Sequence, residues 1–242
     1  MQKLAVIKEG KAKRFYETDE DGVVWVEYLD QATALNGKRK DHIEGKGSLN
    51  NQIDTILFEN LMDNGIKTHF IKQVSSNEQL VKTMKMIPLE VVIRNAASGS
   101  FQRKFQIDYL KPLNPPVVET FYKSDALDDP FINESQILAL EIVTDEELNF
   151  ITDYALKVNQ VLSTRYAQAG LKLVDFKLEF GKTNDGEIVL ADEISPDNCR
   201  LVDQDTLASF DKDVFRKDTG DLVDVYSEVL RRLVESKEAA NV

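Results

Sequence analysis

Cysteine, histidine, long apolar runs and excess basic charge are all scarce in this 242-residue chain, and each scarcity closes off a class of function. Cys199 is the sole cysteine, which excludes an internal disulfide and fits a reducing compartment. His42 and His69 are the only histidines and lie far apart in sequence, so a zinc site of the His/Cys type lacks donors. No apolar run approaches membrane-spanning length. The N-terminal MQKLAVIKEGKAK has no long apolar stretch, so no secretory signal is expected, and the sequon Asn133-Glu134-Ser135 has no evident use. A net charge of −12 opposes nonspecific nucleic-acid binding through phosphate neutralisation. Internal repeats and low-complexity tracts are also missing.

What is present is ordinary for a soluble globular protein: 42% hydrophobic and 30% charged residues, enough for one large domain or two small ones. The most informative stretch runs from Leu173 to Arg200. Val174, Phe176, Leu178 and Phe180 alternate with Asp175, Lys177 and Glu179, the pattern of a strand with one face in a core. Asp185-Gly186 is a strong hairpin signal. With those two residues at the centre of a two-residue turn, Asn184 faces Glu187 and Glu179 faces Asp192. Two opposed carboxylates repel, and a hard cation such as Mg²⁺ between them removes the conflict. The alternative is a solvated face on which the repulsion is small, and a loop one residue longer breaks the register.

Residues 1 to about 30 read as short strands. A glycine turn bearing Lys8, Lys11, Lys13 and Arg14 suits a lid over phosphates, or a merely solvated basic hairpin; it lacks the Walker order. Lys38-Arg39-Lys40 and Gly45-Lys46-Gly47-Ser48 precede a helix striped by Leu49, Ile53, Ile56, Leu57 and Leu61 and ended by Asn64-Gly65. Its glycine-rich entry could bind an anion at free N–H groups, but reads more simply as a helix start. Thr68 to Val74 is strand-like, and Ser76 to Gln79 has the spacing of a capping box for a short helix. Met84 to Pro88 reads as a connector. Leu89 to Ile93 reads as a buried strand delivering Arg94 and the small-residue loop to Ser100, which suits a phosphate or an ordinary tight turn. Asn114-Pro115-Pro116 marks a turn or extended segment, and Lys123 to Pro130 a polar loop without a period. Thr144 with Glu147 caps a long helix closed by Gly170, and an amphipathic helix around Leu222 to Leu233 ends the chain.

Five of these stretches together closely resemble the SAICAR synthetase family: GKAK at 10–13, PLEVVIRNAASGS at 88–100, KSDALDDP at 123–130, LVDFKLEFG at 173–181 and DEISPDNCR at 192–200. The resemblance covers nearly the whole chain, and the second and fourth stretches are the family's signatures. It implies a two-domain α+β fold. Residues 1–86 would form a small antiparallel sheet domain, similar to a kinase N-lobe, that covers the nucleotide. Residues 87–242 would form a larger α+β domain, related to ATP-grasp, with the metal and ribonucleotide sites. The implied activity is that of an ATP-dependent carbon–nitrogen ligase of de novo purine biosynthesis. Carboxyaminoimidazole ribonucleotide and L-aspartate would give an amide, ADP and phosphate, through an acyl phosphate.

By position, the resemblance implies that Lys11, Ala12 and Lys13 contact ATP, with Met86 at an adenine-facing hinge. Glu179 and Asp192 would serve the nucleotide and hold Mg²⁺. Arg94, Ser100, Lys177, Asp197 and Arg200 would contact the ribonucleotide, Lys177 and Asp175 being the candidate catalytic pair. Lys123 and Asp129 look like further site residues, while the loop from Thr33 to Lys46 departs from the family pattern. A cytoplasmic homo-oligomer, a dimer favoured, with small-molecule substrates and neither nucleic acid nor membrane as partner, completes the expectation. Two other classes share some features. A related small-molecule kinase would turn over without aspartate, and a non-catalytic nucleotide-binding module would have little reason to keep an opposed carboxylate pair.

Overall fold

Short strands separated by polar turns, and one long helix, make up the first eighty residues of the computed structural model, which describes residues 1–34 and 39–239. Strands β1 (Lys3–Glu9), β2 (Lys13–Thr18) and β3 (Val23–Tyr28) form an antiparallel meander. A small ribbon of β4 (Gln31–Ala34) and β5 (Arg39–His42) leads to helix α1 (Lys46–Asp63); Lys38 lies outside the described residues. Gly47 lets this helix begin hard against β3, since a Cβ there would stand 2.5 Å from the Tyr28 carbonyl oxygen. Strands β6 (Phe70–Ser75) and β7 (Glu78–Lys82) complete a five-stranded sheet in the order β1-β2-β3-β7-β6. The short helix expected from Ser76 is therefore a hairpin. Leu80 and Val81 are buried as strand residues, and that burial outweighs the local capping pattern.

The second sheet carries the chemistry. Its strands are β8 (Lys85–Ala96), β9 (Pro112–Tyr122), β10 (Leu171–Lys182), β11 (Ile188–Ala191) and β12 (Cys199–Asp203). The order is β11-β10-β8-β9, with β12 also on β10, and all named pairs are antiparallel. The expected connector at Met84–Pro88 is thus largely strand. Pro88 is tolerated because the β8–β10 register shifts between the Glu179 and Gly181 pairings, so its missing N–H falls at a bulge.

Between β8 and β9 lies helix α2 (Gly99–Phe105), and helices α3 (Glu134–Ala139) and α4 (Asp145–Gln168) follow β9. Thr144 and Glu147 form the reciprocal cap foreseen for α4. Helices α5 (Asp213–Arg216) and α6 (Leu222–Ala239) end the fold. The main core joins Ile53, Leu57 and Leu61 of α1, Ile151, Val158 and Leu162 of α4, and Tyr226 and Leu233 of α6 to Leu89, Val91 and Ile93 of β8 and Phe176, Leu178 and Phe180 of β10. Val174 is an exception to the expected face. A bulge between Leu173 and Asp175 in the β10–β12 ladder sends it to a separate small cluster with Ala96, Leu110 and Val202. No helix among the described residues is long and apolar enough to cross a membrane.

Candidate active site

The hairpin register differs from the sequence expectation, and the reason is the turn. Glu179 pairs with Ala191 and Lys182 with Ile188. Thr183 and Glu187 close the hairpin, the Gly186 amide donates to the Thr183 carbonyl at 2.9 Å, and Gly186 has φ +85°. This is a three-residue loop with glycine in the left-handed region, one residue longer than the two-residue turn. Strict alternation would now send Glu179 and Asp192 to opposite faces. Asp192 follows directly on β11 with φ +65°, and this left-handed residue breaks the alternation. Both carboxylates consequently reach one ammonium: Lys177 Nζ donates to Glu179 and lies 3.0 Å from Asp192 Oδ2.

The edge of β10 explains why the site forms at Lys177. β12 pairs with residues 171–176 and β11 with residues 179–182, leaving Lys177 at a gap between the two partners. The segment 192–198 loops out there and is tied back by the Lys177 amide to the Asn198 carbonyl at 3.0 Å and by Asn198 Nδ2 to the Lys177 carbonyl at 3.1 Å. On the other side, alternation along β8 turns Glu90, Val92 and Arg94 away from the core face of Leu89, Val91 and Ile93. A cleft of about 280 Å³ results, lined among others by Glu90, Arg94, Asp175, Lys177, Asp197 and Arg200.

One half of this region is a lattice of ammonium and carboxylate groups. Lys177 also approaches Glu90 at 3.4 Å, Lys123 bonds Glu179, and Lys13 reaches Asp192 at 2.5 Å and Glu193 at 3.0 Å. The two carboxylates of this face of β10, Asp175 and Glu179, are therefore buried rather than solvated, the Glu179 side chain being only 2% exposed. Burial, with Asp192 nearby, pushes the Glu179 carboxyl up. At Asp192 burial acts in the same upward sense, but Lys13, Lys177 and Lys123 outweigh it and hold the carboxyl well below its usual range. Lys177 stays charged: burial opposes the charge, and Asp192, Glu179 and Glu90 more than compensate.

The other half is built on guanidinium groups. Arg94 is 4% exposed and donates to Glu119 at 2.6 Å, to Asp175 at 2.7 Å and to the Ser100 hydroxyl at 3.3 Å. Arg200 is 26% exposed, bonds Asp175 at 3.0 Å and approaches Asp213 at 3.4 Å. Gly99, at φ +55°, makes room for it, because a Cβ there would lie 2.8–2.9 Å from the Arg200 guanidinium. Asp197 is gripped by Lys46 at 2.6 Å, by Lys212 at 3.5 Å and by the Tyr226 hydroxyl at 2.7 Å. Burial would raise its carboxyl, yet the two lysines hold it low. Burial also pushes the Cys199 thiol up, which removes it as a thiolate nucleophile.

Of the residues singled out in the sequence, Lys13, Lys123, Lys177, Glu179 and Asp192 thus form one cluster, and Arg94, Ser100, Asp175 and Arg200 an adjoining one. Lys11 sits further out, on Asp125 at 2.7 Å, where both partners are exposed. Ala12 contributes its carbonyl to the Leu29 amide, and Met86 stands half-exposed on β8. Asp129 accepts the Ser124 amide at 2.8 Å, so it shapes the loop after Lys123 rather than lining the cleft. Missed in the sequence were Glu90, Glu193 and Lys212, and Lys46 was read only as part of a glycine-rich helix entry. Glu90 was findable, since it shares the alternating face of Arg94. Lys46 is 1% exposed at the start of α1, where only tertiary packing reveals its partner.

Two carboxylates of this cluster offer hard oxygen donors of the type Mg²⁺ takes with substrate phosphates. Among the described residues there is no group of three or more acidic, histidine or cysteine side chains suited to hold a metal. Around Lys177, four carboxylates (Glu90, Glu179, Asp192 and Glu193) face three ammonium groups (Lys13, Lys123 and Lys177). The balance admits a cation whose remaining ligands come from a substrate.

Comparison with known proteins bears on this arrangement. The family model described as SAICAR synthetase matches residues 6–233. A phosphoribosylaminoimidazole-succinocarboxamide synthase of Pediococcus pentosaceus is 66% identical over 98% of this chain and 98% of its own length. The crystal structure of the synthase from Ehrlichia chaffeensis superposes with a TM-score of 0.92 at 45% identity, covering 95% of this chain and 98% of that one. A SAICAR synthetase in complex with ADP superposes with a TM-score of 0.91 at 46% identity, covering 95% and 97%.

Proposed function

The chain belongs to the SAICAR synthetase family, and from that premise we infer that it is an ATP-dependent carbon–nitrogen ligase of purine biosynthesis. It condenses carboxyaminoimidazole ribonucleotide with L-aspartate, giving the succinocarboxamide, ADP and phosphate. The observation that carries the reading is the junction at Lys177, where a nucleotide-type carboxylate–ammonium cluster meets a guanidinium-lined cleft. The experiment is ADP release with each substrate omitted in turn. Dependence on both ribonucleotide and aspartate supports the ligase. Turnover without aspartate would instead indicate a kinase, and no turnover a binding module.

In this reading the hairpin of Lys11, Ala12 and Lys13 covers the ATP phosphates and Met86 borders the adenine. Lys13 is the stronger phosphate group, being fixed in the cluster, whereas Lys11 is exposed and its ion pair worth little. Glu179 and Asp192 would hold Mg²⁺, which when bound neutralises phosphate charge and polarises the phosphoryl oxygens. Lys177, Ser100 and Arg200 receive the ribonucleotide, its phosphate at the guanidinium and its carboxylate toward Lys177. Arg94 and Asp197 hold that surface in shape. Asp175 aligns Arg94 with Arg200. Lys123 reaches Glu179 from a loop that Asp129 closes.

The chemistry asks for an activated carboxylate. A ribonucleotide carboxylate oxygen attacks the γ-phosphorus of ATP, the bond to the bridging oxygen breaks, and ADP leaves. The aspartate amine then adds to the acyl carbon of the resulting acyl phosphate, loses a proton and expels inorganic phosphate. Lys177, kept cationic by three carboxylates, is placed to stabilise negative charge on the transferring group. Residues 1–86, with the sheet β1-β2-β3-β7-β6, would act as the nucleotide-covering domain, akin to a kinase N-lobe. Residues 87–242 would form the ATP-grasp-related remainder.

A further inference from the structure

Behind the core, and sharing no residue with the ligase cleft, α1, α4 and α6 meet around a second cavity of about 260 Å³. Arg165 of α4 lines it and is only 4% exposed. Its guanidinium donates to the Ser236 hydroxyl at 2.7 Å and to the Leu233 carbonyl, both neutral groups. No carboxylate among the described residues is paired with it, and burial pulls its pKa down. Asn60 of α1 lines the same cavity, and its Oδ1 is buried without a hydrogen-bond partner. An uncompensated buried charge and an orphaned acceptor each cost stability unless something supplies the complement. Here both costs converge on one space, which Asp63 and Lys237 also line, Lys237 being paired with Glu59 at 3.3 Å.

We propose that this cavity is a second ligand site, taking a small oxyanion that carries its own N–H or O–H donor. The oxyanion lies on Arg165, and the donor meets Asn60 Oδ1. A guanidinium matches the planar pair of oxygens of a carboxylate or phosphate. Two sources share this chemistry: a protonated phosphate and the carboxylate of an amino acid.

Calorimetric titration of the full chain with orthophosphate and, separately, with L-glutamate distinguishes the sources. The expected result is one site per chain for one of the two probes, weakened at least about tenfold in Arg165→Met by loss of a charge-assisted contact. Binding should persist in Arg200→Ala, which separates this cavity from the ligase cleft, and Arg165→Met should keep parental ADP release. If Arg165→Met does not fold, Asn60→Leu provides the same comparison. Absence of heat with both probes, or parental affinity in both cavity variants, would overturn the proposal. So would loss of binding in Arg200→Ala. A change in sedimenting mass on Arg165→Met would overturn it too, since the missing anion would then come from a second copy.

Discussion

Asp54 of α1 offers a test of how the site is braced from behind. Its Oδ1 accepts the Ile194 amide at 2.6 Å, within the segment that carries Asp192 and Glu193, and its Oδ2 accepts the Tyr28 hydroxyl at 2.9 Å. The side chain is wholly buried. Burial, reinforced by Glu193 and only partly offset by the Ile194 amide and Lys13, pushes its pKa up to about 8. The unfolded chain gives up this proton near the ordinary aspartate value of about 3.9. Between that value and about 8 the folded state holds more of the proton, so stability is present at low pH and is lost as pH rises. Each pH unit in the window is worth about 1.4 kcal/mol, roughly 4 kcal/mol between pH 4 and pH 7. Asp54→Asn is nearly isosteric with the protonated acid, keeps an acceptor for Ile194 and does not titrate. Relative to parent, the variant should gain stability steadily from pH 4 to pH 7. The gap should grow by roughly 2–4 °C in Tm for each kcal/mol. Thermal melts of both proteins across that range decide the matter, and parallel Tm curves would refute a protonated, buried Asp54.

Other substitutions separate the halves of the site. Arg200→Ala should raise the ribonucleotide KM and leave ATP binding close to parental. Arg94→Ala should chiefly lower stability, by an amount on the order of 3–5 kcal/mol, because it strands Glu119 and leaves Asp175 to Arg200 alone; calorimetry with both ligands and melting curves check the pair. Lys13→Ala should raise the ATP KM more than Lys11→Ala, and equal effects in steady-state kinetics would count against Lys13 as the anchored phosphate group. Glu179→Gln should abolish most turnover. Its carboxyl is raised by burial, so ionised Glu179 opposes folding above its ordinary range, and the variant's relative stability should rise with pH. A large loss of Tm at neutral pH with retained turnover would contradict both statements.

Much of this site was legible because its residues sit on alternating strands. Asp175, Lys177 and Glu179 on β10 could be assigned to one face from spacing alone, and the same logic applied to β8 yields Glu90 beside Arg94. The register was harder, since one extra turn residue shifts every pairing, and Asn-Asp-Gly serves a three-residue loop as well as a two-residue one. The left-handed Asp192 then restored the meeting of the carboxylates by a route that no periodicity encodes. Ser76 misled because a capping pattern is local, whereas the choice of strand was made by burial of Leu80 and Val81. The Lys46–Asp197–Tyr226 cluster joins residues 151 and 29 positions apart and exists only once α1 and α6 have packed.

The claim that Lys177 and its carboxylates activate the ribonucleotide for attack by aspartate can be read in one labelling experiment. Ribonucleotide bearing ¹⁸O at both carboxylate oxygens is turned over with ATP, Mg²⁺ and aspartate, and the phosphate and amide products are analysed by mass spectrometry. The account predicts one ADP per amide formed and one ¹⁸O atom transferred to each inorganic phosphate. Release of unlabelled phosphate in step with amide formation would contradict it, as would ADP formation that continues without the ribonucleotide.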